Sequence, residues 1–378
     1  MNWDTLLSLL SITQESLLVL VITAVTCAII GSFLVLRKLS MVSDAISHSV
    51  LLGIVLAFFI TRDISSPLLI VGAALFGVLT VFSIEMLSAT GLVKNDDAVG
   101  IVFPLFFSLA VILITKYARN VHLDTDIVLM GEVIMAPLNR MQIGSLSLPK
   151  AEVQMGVLFV ANLAFIKVFF KELKITTFDK EFATLAGFSS TLLFYALMTL
   201  SSLTAVVAFD AVGAILVVSF LIAPGASAYL VTKDLKRMLL FSCLYAVVNS
   251  LAGYFLALVF QVSMSGMTAT VAGVTFFLTF LFHREGLLTV LIKRRRGKKQ
   301  VYLDLMLLHI GNHSGTQAEA EEAGVETIKN HLKWEPRAVE TRAQELIRQG
   351  LLARQKARYV LTDTGWERYD TLQKEYGM

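Results

Sequence analysis

Nine apolar stretches of about 15–23 residues, each bounded by charged or turn-forming residues, occupy most of the first 282 positions of this 378-residue chain. They run over residues 17–36, 42–60, 68–87, 99–114, 153–170, 192–209, 212–230, 238–260 and 268–282. A stretch of this length crosses the hydrocarbon of a bilayer, about 30 Å, as an α-helix, and lipid leaves the backbone few alternatives. The pattern therefore predicts an all-α polytopic membrane protein of eight or nine transmembrane helices. The segment 127–148 is interrupted by Glu132, Pro137 and Arg140 and reads as a non-spanning element. Charge divides the chain: the first 292 residues carry 33 charged side chains and the last 86 carry 28. The expected organisation is a membrane domain over 1–285, a basic linker over 286–299 and a small cytoplasmic domain over 300–378.

The distribution of Lys and Arg sets the expected orientation, because cytoplasmic loops retain them. Placing Arg37 and Lys38 inside also puts Lys94, the 171–180 loop, the 233–237 loop and the tail from Arg284 inside. Those segments hold sixteen Lys/Arg up to residue 299, against five in the opposite loops (Arg62, Lys116, Arg119, Arg140 and Lys150). The N-terminus then faces out and the polar C-terminal region faces the cytoplasm. Residues 1–16 carry Asp4 and Glu15 and no Lys or Arg, unlike the basic start of a signal peptide. Cys27 and Cys243 lie in apolar segments and imply neither a disulfide framework nor a thiolate metal site.

Ser40, Ser43, Asp44, Ser47 and His48 fall in the second apolar stretch, within an arc of roughly 140° on a helix of 100° per residue. An ionisable side chain at membrane depth costs roughly 2.5–3.5 kcal/mol on insertion scales, so it faces protein or water and marks a pathway. His48 is the only one of six histidines in an apolar stretch, one helical turn from Asp44. Carboxylate and imidazole together suit manganese, iron or zinc. The competing reading is a hydrogen-bonded pair joining helices. Ser40, Ser43 and Ser47 are the accompanying candidates to line a path. Further along, Pro224-Gly225 predicts a bend or break in the seventh stretch. A short amphipathic piece should follow, with Tyr229, Leu230 and Leu235 against Lys233, Asp234, Lys236 and Arg237. Asp210 is expected to cap the helix after it, and Glu85 to reach for water from the end of the third stretch.

The run from Leu36 to Ile54, with Leu39-Ser40-Met41-Val42-Ser43-Asp44-Ala45-Ile46-Ser47-His48 at its centre, closely resembles the signature of ABC-type metal-ion permeases. Asp210-Ala211-Val212-Gly213 followed by Leu221-Ile222-Ala223-Pro224-Gly225-Ala226-Ser227-Ala228 is similar to that family's second signature, with Gly225 where alanine is more frequent. The resemblance covers roughly residues 15–285. It implies a permease subunit in a bacterial cytoplasmic (inner) membrane, paired with a second copy or a paralogue. It also implies an extracytoplasmic metal-binding protein that delivers manganese, zinc or iron, and cytoplasmic ABC ATPase subunits that drive import. On this resemblance Asp44 and His48 are the metal-coordinating pair. Ala223, Pro224, Gly225, Ala226, Ser227, Ala228, Tyr229, Lys233 and Asp234 fall in the segment that contacts the ATPase. The only bound metal expected is the transported ion, with no permanent cofactor. No phosphate-binding Gly-x-x-x-x-Gly-Lys-Ser/Thr motif occurs, and Gly311 to Thr316 lacks its lysine, so hydrolysis belongs to another chain and this one is not an enzyme. A secondary metal transporter without an ATPase and a membrane-tethered metal-responsive regulator are the alternatives.

Lys293-Arg294-Arg295-Arg296-Gly297-Lys298-Lys299 marks a membrane exit able to touch anionic lipid. Beyond it, helices are expected over 302–310, 325–334 and from Pro336, then a hairpin over 351–361 and a last helix over 362–376. This order resembles the winged-helix modules of metal-dependent repressors, which inclines the ion toward manganese. Ten Lys/Arg against twelve Asp/Glu from residue 300 onward make no basic face, which favours regulation or docking over DNA binding. His309, His313, Glu319, Glu321, Glu322 and His331 are the residues there from which a sensing site would be built.

Overall fold

The computed structural model describes residues 3–63, 66–117, 133–143, 146–283 and 286–377, with side chains from residue 13 onward apart from Ile143, Leu146 and Arg296. The chain divides into two compact units, Met1–His283 and Arg284–Met378.

In the first unit nine described helices are long and apolar enough to cross a membrane. They are α1 (Trp3–Leu36), α2 (Ser40–Thr61), α3 (Leu68–Ala89), α4 (Asn95–Tyr117), α5 (Lys150–Val168), α8 (Ser190–Val212), α9 (Ala214–Val231), α10 (Leu235–Phe260) and α11 (Met264–Phe282). Between α5 and α8 lie two short helices, α6 (Phe170–Phe178) and α7 (Lys180–Leu185). α1 begins before its apolar stretch, and within this extension Thr13 Oγ1 makes a 2.5 Å buried bond with Tyr254 Oη. The described part of 127–148 is a 3₁₀ turn (Ala136–Leu138) and the antiparallel hairpin β1 (Arg140–Ile143) and β2 (Leu146–Pro149). Arg140 joins it to α1 through Glu15 at 2.8 Å.

Lipid supplies no hydrophobic force between helices, so close packing must hold them together. Gly53 on α2 and Gly72 on α3 each lie against the other's backbone carbonyl, and a Cβ on either would collide there. At the α1–α9 crossing, Gly31 lies against the backbone of Leu221, and a Cβ on Gly225 would sit 3.1 Å from Ser32 Cα. That approach is a physical reason for glycine at 225 in this chain.

Two sequence expectations are corrected here. α9 runs unbroken through Pro224 to Val231, and no separate amphipathic helix follows: Asp234 caps α10 after a three-residue turn. Proline removes one backbone donor, and here the seam with α1 packs Leu221 and Gly225 on either side of it. Nor does Asp210 cap α9. It is exposed in the last turn of α8, while Gly213, at φ 86°, makes the turn and α9 takes no side-chain cap. Glu85 likewise has a protein partner, accepting from Tyr195 Oη of α8 at 2.8 Å.

The second unit comprises α12 (Leu287–His313), α13 (Glu319–Glu322), α14 (Ile328–Leu332), α15 (Pro336–Arg348), β3 (Leu352–Gln355), β4 (Arg358–Leu361) and α16 (Asp363–Tyr376). The expected linker over 286–299 is the first half of α12 rather than a break, since Lys and Arg are good helix formers. β3 and β4 pair antiparallel from Leu352↔Leu361 to Gln355↔Arg358. The core joins Leu303, Met306, Leu307 and Ile310 of α12 to Val339, Ala343 and Leu346 of α15 and Leu372 of α16.

Candidate functional site

α1 and α2 are separated by only Arg37, Lys38 and Leu39. At 1.5 Å per residue, Asp44 lies about 6 Å and His48 about 12 Å into α2 from this basic end. They therefore occupy the third of the span nearest the turn. His48 Nε2 is 3.7 Å from Asp44 Oδ1, with the side chains 35% and 43% exposed on the single chain. The imidazole is held from behind by two rings of α4, Phe103 and Phe107, each with its centroid at 5.6 Å.

The polar arc of α2 divides along its length. Ser43 and Ser47 are buried, at 2% and 1% exposure, whereas Asp44, His48 and Ser40 are half-buried. Ser47 Oγ donates to the Ser43 carbonyl at 2.9 Å, and Ser43 Oγ has no partner among the described residues. The carboxylate and imidazole thus share an accessible strip, and two of the three serines point into the bundle.

Of the residues singled out around Pro224, Pro224, Gly225, Ser227 and Ala228 are buried and Ala223 and Ala226 partly so. Only Tyr229, Lys233 and Asp234 are exposed. A larger exposed feature lies on α6 and α7. Their inner face is Leu173, Thr176 and Ala183, while Phe178, Phe182 and Leu185 stand 60%, 56% and 88% exposed. Arg37 ties this pair of helices to the turn before α2, donating to Thr176 Oγ1 at 3.0 Å and Thr177 Oγ1 at 3.2 Å. Burial lowers the pKa of that guanidinium. Sequence reasoning took 171–180 as a basic loop and missed the helices, although Asp179, three residues before Phe182, is an N-cap signal. It also passed over Phe103 and Phe107, whose spacing of four residues places them on one face.

Nine helices of membrane-spanning length among the described residues define a polytopic membrane protein, with an aspartate–histidine pair set into one of them. Residues 10–283 match the ABC 3 transport family, and the chain belongs to that family. It is 43% identical over 354 residues to the zinc transport system membrane protein TroD of Treponema pallidum (strain Nichols), covering 93% of this chain and 96% of that one. It is also 43% identical over 263 residues to the manganese transport system membrane protein MntD of Bacillus subtilis (strain 168), covering 69% of this chain and 89% of that one. The first match is long enough to include most of the second unit, whereas the second is about the length of the membrane unit alone. Among solved structures, PsaBC from Streptococcus pneumoniae in complex with Fab superposes with a TM-score of 0.60 at 29% identity, covering 75% of this chain and 94% of that one.

Proposed function

We infer that this chain is the membrane-spanning permease subunit of an ATP-driven importer of divalent first-row metal ions, and that Asp44 and His48 hold the ion in transit. The observation that carries this reading is the partial exposure of a carboxylate and an imidazole on a single chain at membrane depth. Against lipid that exposure is costly. A second permease copy or paralogue facing α2 would cover the strip and supply a second pair, giving two oxygen and two nitrogen donors around a water-filled path. Such a set favours a 2+ ion electrostatically yet is sparse enough to release it. Relatives named for zinc and for manganese stand at the same 43% identity. The assignment is therefore to the divalent ions both donors accept, and competitive uptake separates manganese, zinc and iron.

Orientation follows from the basic loops: the end bearing Arg37, Lys94 and α6–α7 faces the cytoplasm and the β1–β2 hairpin faces out, toward a delivering metal-binding protein. The exposed Phe178, Phe182 and Leu185, with Tyr229, Lys233 and Asp234, form the surface we assign to the ATPase subunit. Displacement of α6 would pass through Thr176, Thr177 and Arg37 to the turn that begins α2, one helical turn before Asp44.

The second unit is assigned a regulatory or docking role in a winged-helix arrangement. Its α15 is poorly furnished for DNA. The Arg342 guanidinium sits 4.4 Å from the Tyr302 ring centre and 4.5 Å from that of Trp334, and Arg348 pairs with Glu345 at 2.9 Å.

The test is metal uptake by the assembled complex carrying Asp44→Ala. Uptake should vanish while the ATPases still co-purify. Wild-type uptake by that variant would remove the ion path from α2.

A further inference from the structure

Four potential metal ligands converge in the second unit, from three separate elements. His309 and His313 lie one turn apart on α12, Glu322 ends α13 and His331 lies on α14. Ligand atoms of His309, His313 and Glu322 are all within 4.8 Å of one another. His331 reaches the group through the same carboxylate oxygen as His309: Nδ1 of His331 is 2.9 Å and Nε2 of His309 3.3 Å from Glu322 Oε2. The His309 ring lies close to both other rings, tilted by 58° against His313 with centroids 4.9 Å apart and stacked on His331 at 6.3 Å. His309, Glu322 and His331 are 17%, 20% and 28% exposed, so the cluster is recessed but open to solvent.

We propose that His309, His313, Glu322 and His331 form a second divalent-metal site, separate from the membrane path, of the class that selects zinc over manganese.

Donors at zinc distances of 2.0–2.1 Å stand about 3.3 Å apart when tetrahedral. The two Glu322 contacts are already near that edge length. Closing the set requires the His313 ring to swing toward the carboxylate and His331 to draw in toward His309 and His313. Neutral imidazole carries its proton on the nitrogen that does not bind metal, so a bound ion takes the place of the protons now shared with Glu322. Three imidazoles and one carboxylate suit zinc, cobalt and nickel, whereas manganese favours oxygen-rich sets. A bound ion would pin α13 and α14 to α12. The plainer alternative is that Glu322 merely accepts from two histidines to hold that turn in place, with no ion involved.

The full-length purified chain, metal-free in detergent, decides between them. Zinc alone is titrated against a chromophoric chelator, using the Asp44→Ala/His48→Ala variant so that the membrane pair contributes nothing. One equivalent should bind, at least about tenfold more weakly in Glu322→Gln, the scale on which metal-site substitutions act. Cobalt should give the intense visible bands of a four-coordinate site in the parent and lose them in the variant. Glu326→Gln, an exposed carboxylate outside the cluster, should leave zinc binding unchanged. Should Glu322→Gln melt earlier than its parent in chelator, His313→Gln carries the same comparison. Absence of the zinc equivalent, unchanged affinity in both variants, or displacement of zinc by equimolar manganese would overturn the proposal. None of these outcomes depends on the transport reading, which is tested by uptake through Asp44.

Discussion

The two units treat their polar groups in opposite ways. In the membrane unit, many hydroxyls turn back on their own helices, as Thr26 does onto the Ile22 carbonyl, Ser32 onto Ala28 and Ser250 onto Ala246, and those that cross between helices mostly meet other uncharged groups, as Thr13 meets Tyr254. Bonds of this kind satisfy a buried group without needing a partner element. In the second unit, polar groups reach across elements as ions: Lys299 to Glu345, Arg368 to Asp304, Arg358 to Glu319, and two histidines to Glu322. Arg140 and Glu15 pair where the hairpin meets α1, whereas Asp44 and His48 place a contact between ionisable groups inside a spanning helix otherwise furnished with hydroxyls and apolar side chains. The difference teaches where ionic chemistry is structural and where it is functional. Water makes ion pairs inexpensive in the second unit; lipid makes them costly within a span, which is why Asp44 and His48 are the pair we assign to the ion.

The largest effect should follow from removing that exception. Asp44→Ala abolishes uptake, and His48→Ala lowers it by about ten- to a hundredfold at limiting metal, the scale of losing one ligand contribution; radioisotope flux into reconstituted vesicles reads both. The matching change in the second unit concerns packing rather than ions. Leu307→Ala, at a 1% exposed position, should cost about 2–5 kcal/mol. Hydrogen exchange across 300–377 should rise throughout, and protection unchanged there would show that α12 does not hold that core.

How much of this was legible in the sequence depended on which forces write themselves into local pattern. Hydrophobicity does, so each of the nine spanning helices answers to an apolar stretch. The Asp44/His48 pair was legible for the same reason, as an interruption of that pattern. What the sequence could not show were properties fixed by neighbours. The split between Ser43/Ser47 and Asp44/His48 depends on which side of α2 meets the bundle. α9 continues through Pro224 where α1 packs against it at Gly31 and Ser32, a contact that local pattern does not record. Arg37 reads as a topology signal, and only the fold brings Thr176 and Thr177 to it across some 140 positions of chain.

Smaller effects sharpen the comparison within the membrane unit. Gly31→Ala puts a Cβ against the Leu221 carbonyl, where backbone must yield, and should cost about 1–3 kcal/mol. Its midpoint of unfolding in mixed micelles should fall accordingly, whereas Gly100→Ala, with open space around it, should not change it. Thr204→Val removes the acceptor of the Asn162 Nδ2 bond, 2.9 Å long and wholly buried. Interhelical hydrogen bonds in membranes average about 0.6 kcal/mol, so the same assay should register a modest loss. A loss several times larger would show that hydroxyls bridging helices count for more here than those bonded along one.

The smallest effect is a dependence on acidity in the second unit. The Lys299 ammonium, 3.3 Å from Glu345, lowers the pKa of that carboxyl below its ordinary value, with Gln349 and Arg348 adding to the effect. Because the folded value lies below the unfolded one, the contribution is complete above the unfolded pKa and is lost as pH falls through the folded one. The pair is near the surface, so its effect is screened by salt. Thermal unfolding followed by the fluorescence of Trp334 and Trp366 should therefore show a shallow decline on the acid side at low ionic strength. Lys299→Ala should flatten that decline, and added salt should flatten it in the parent. If the acid limb stays unchanged in Lys299→Ala, the charge of Glu345 is being held by its own helix, and the contrast between along-helix and cross-element bonding weakens at its most exposed point.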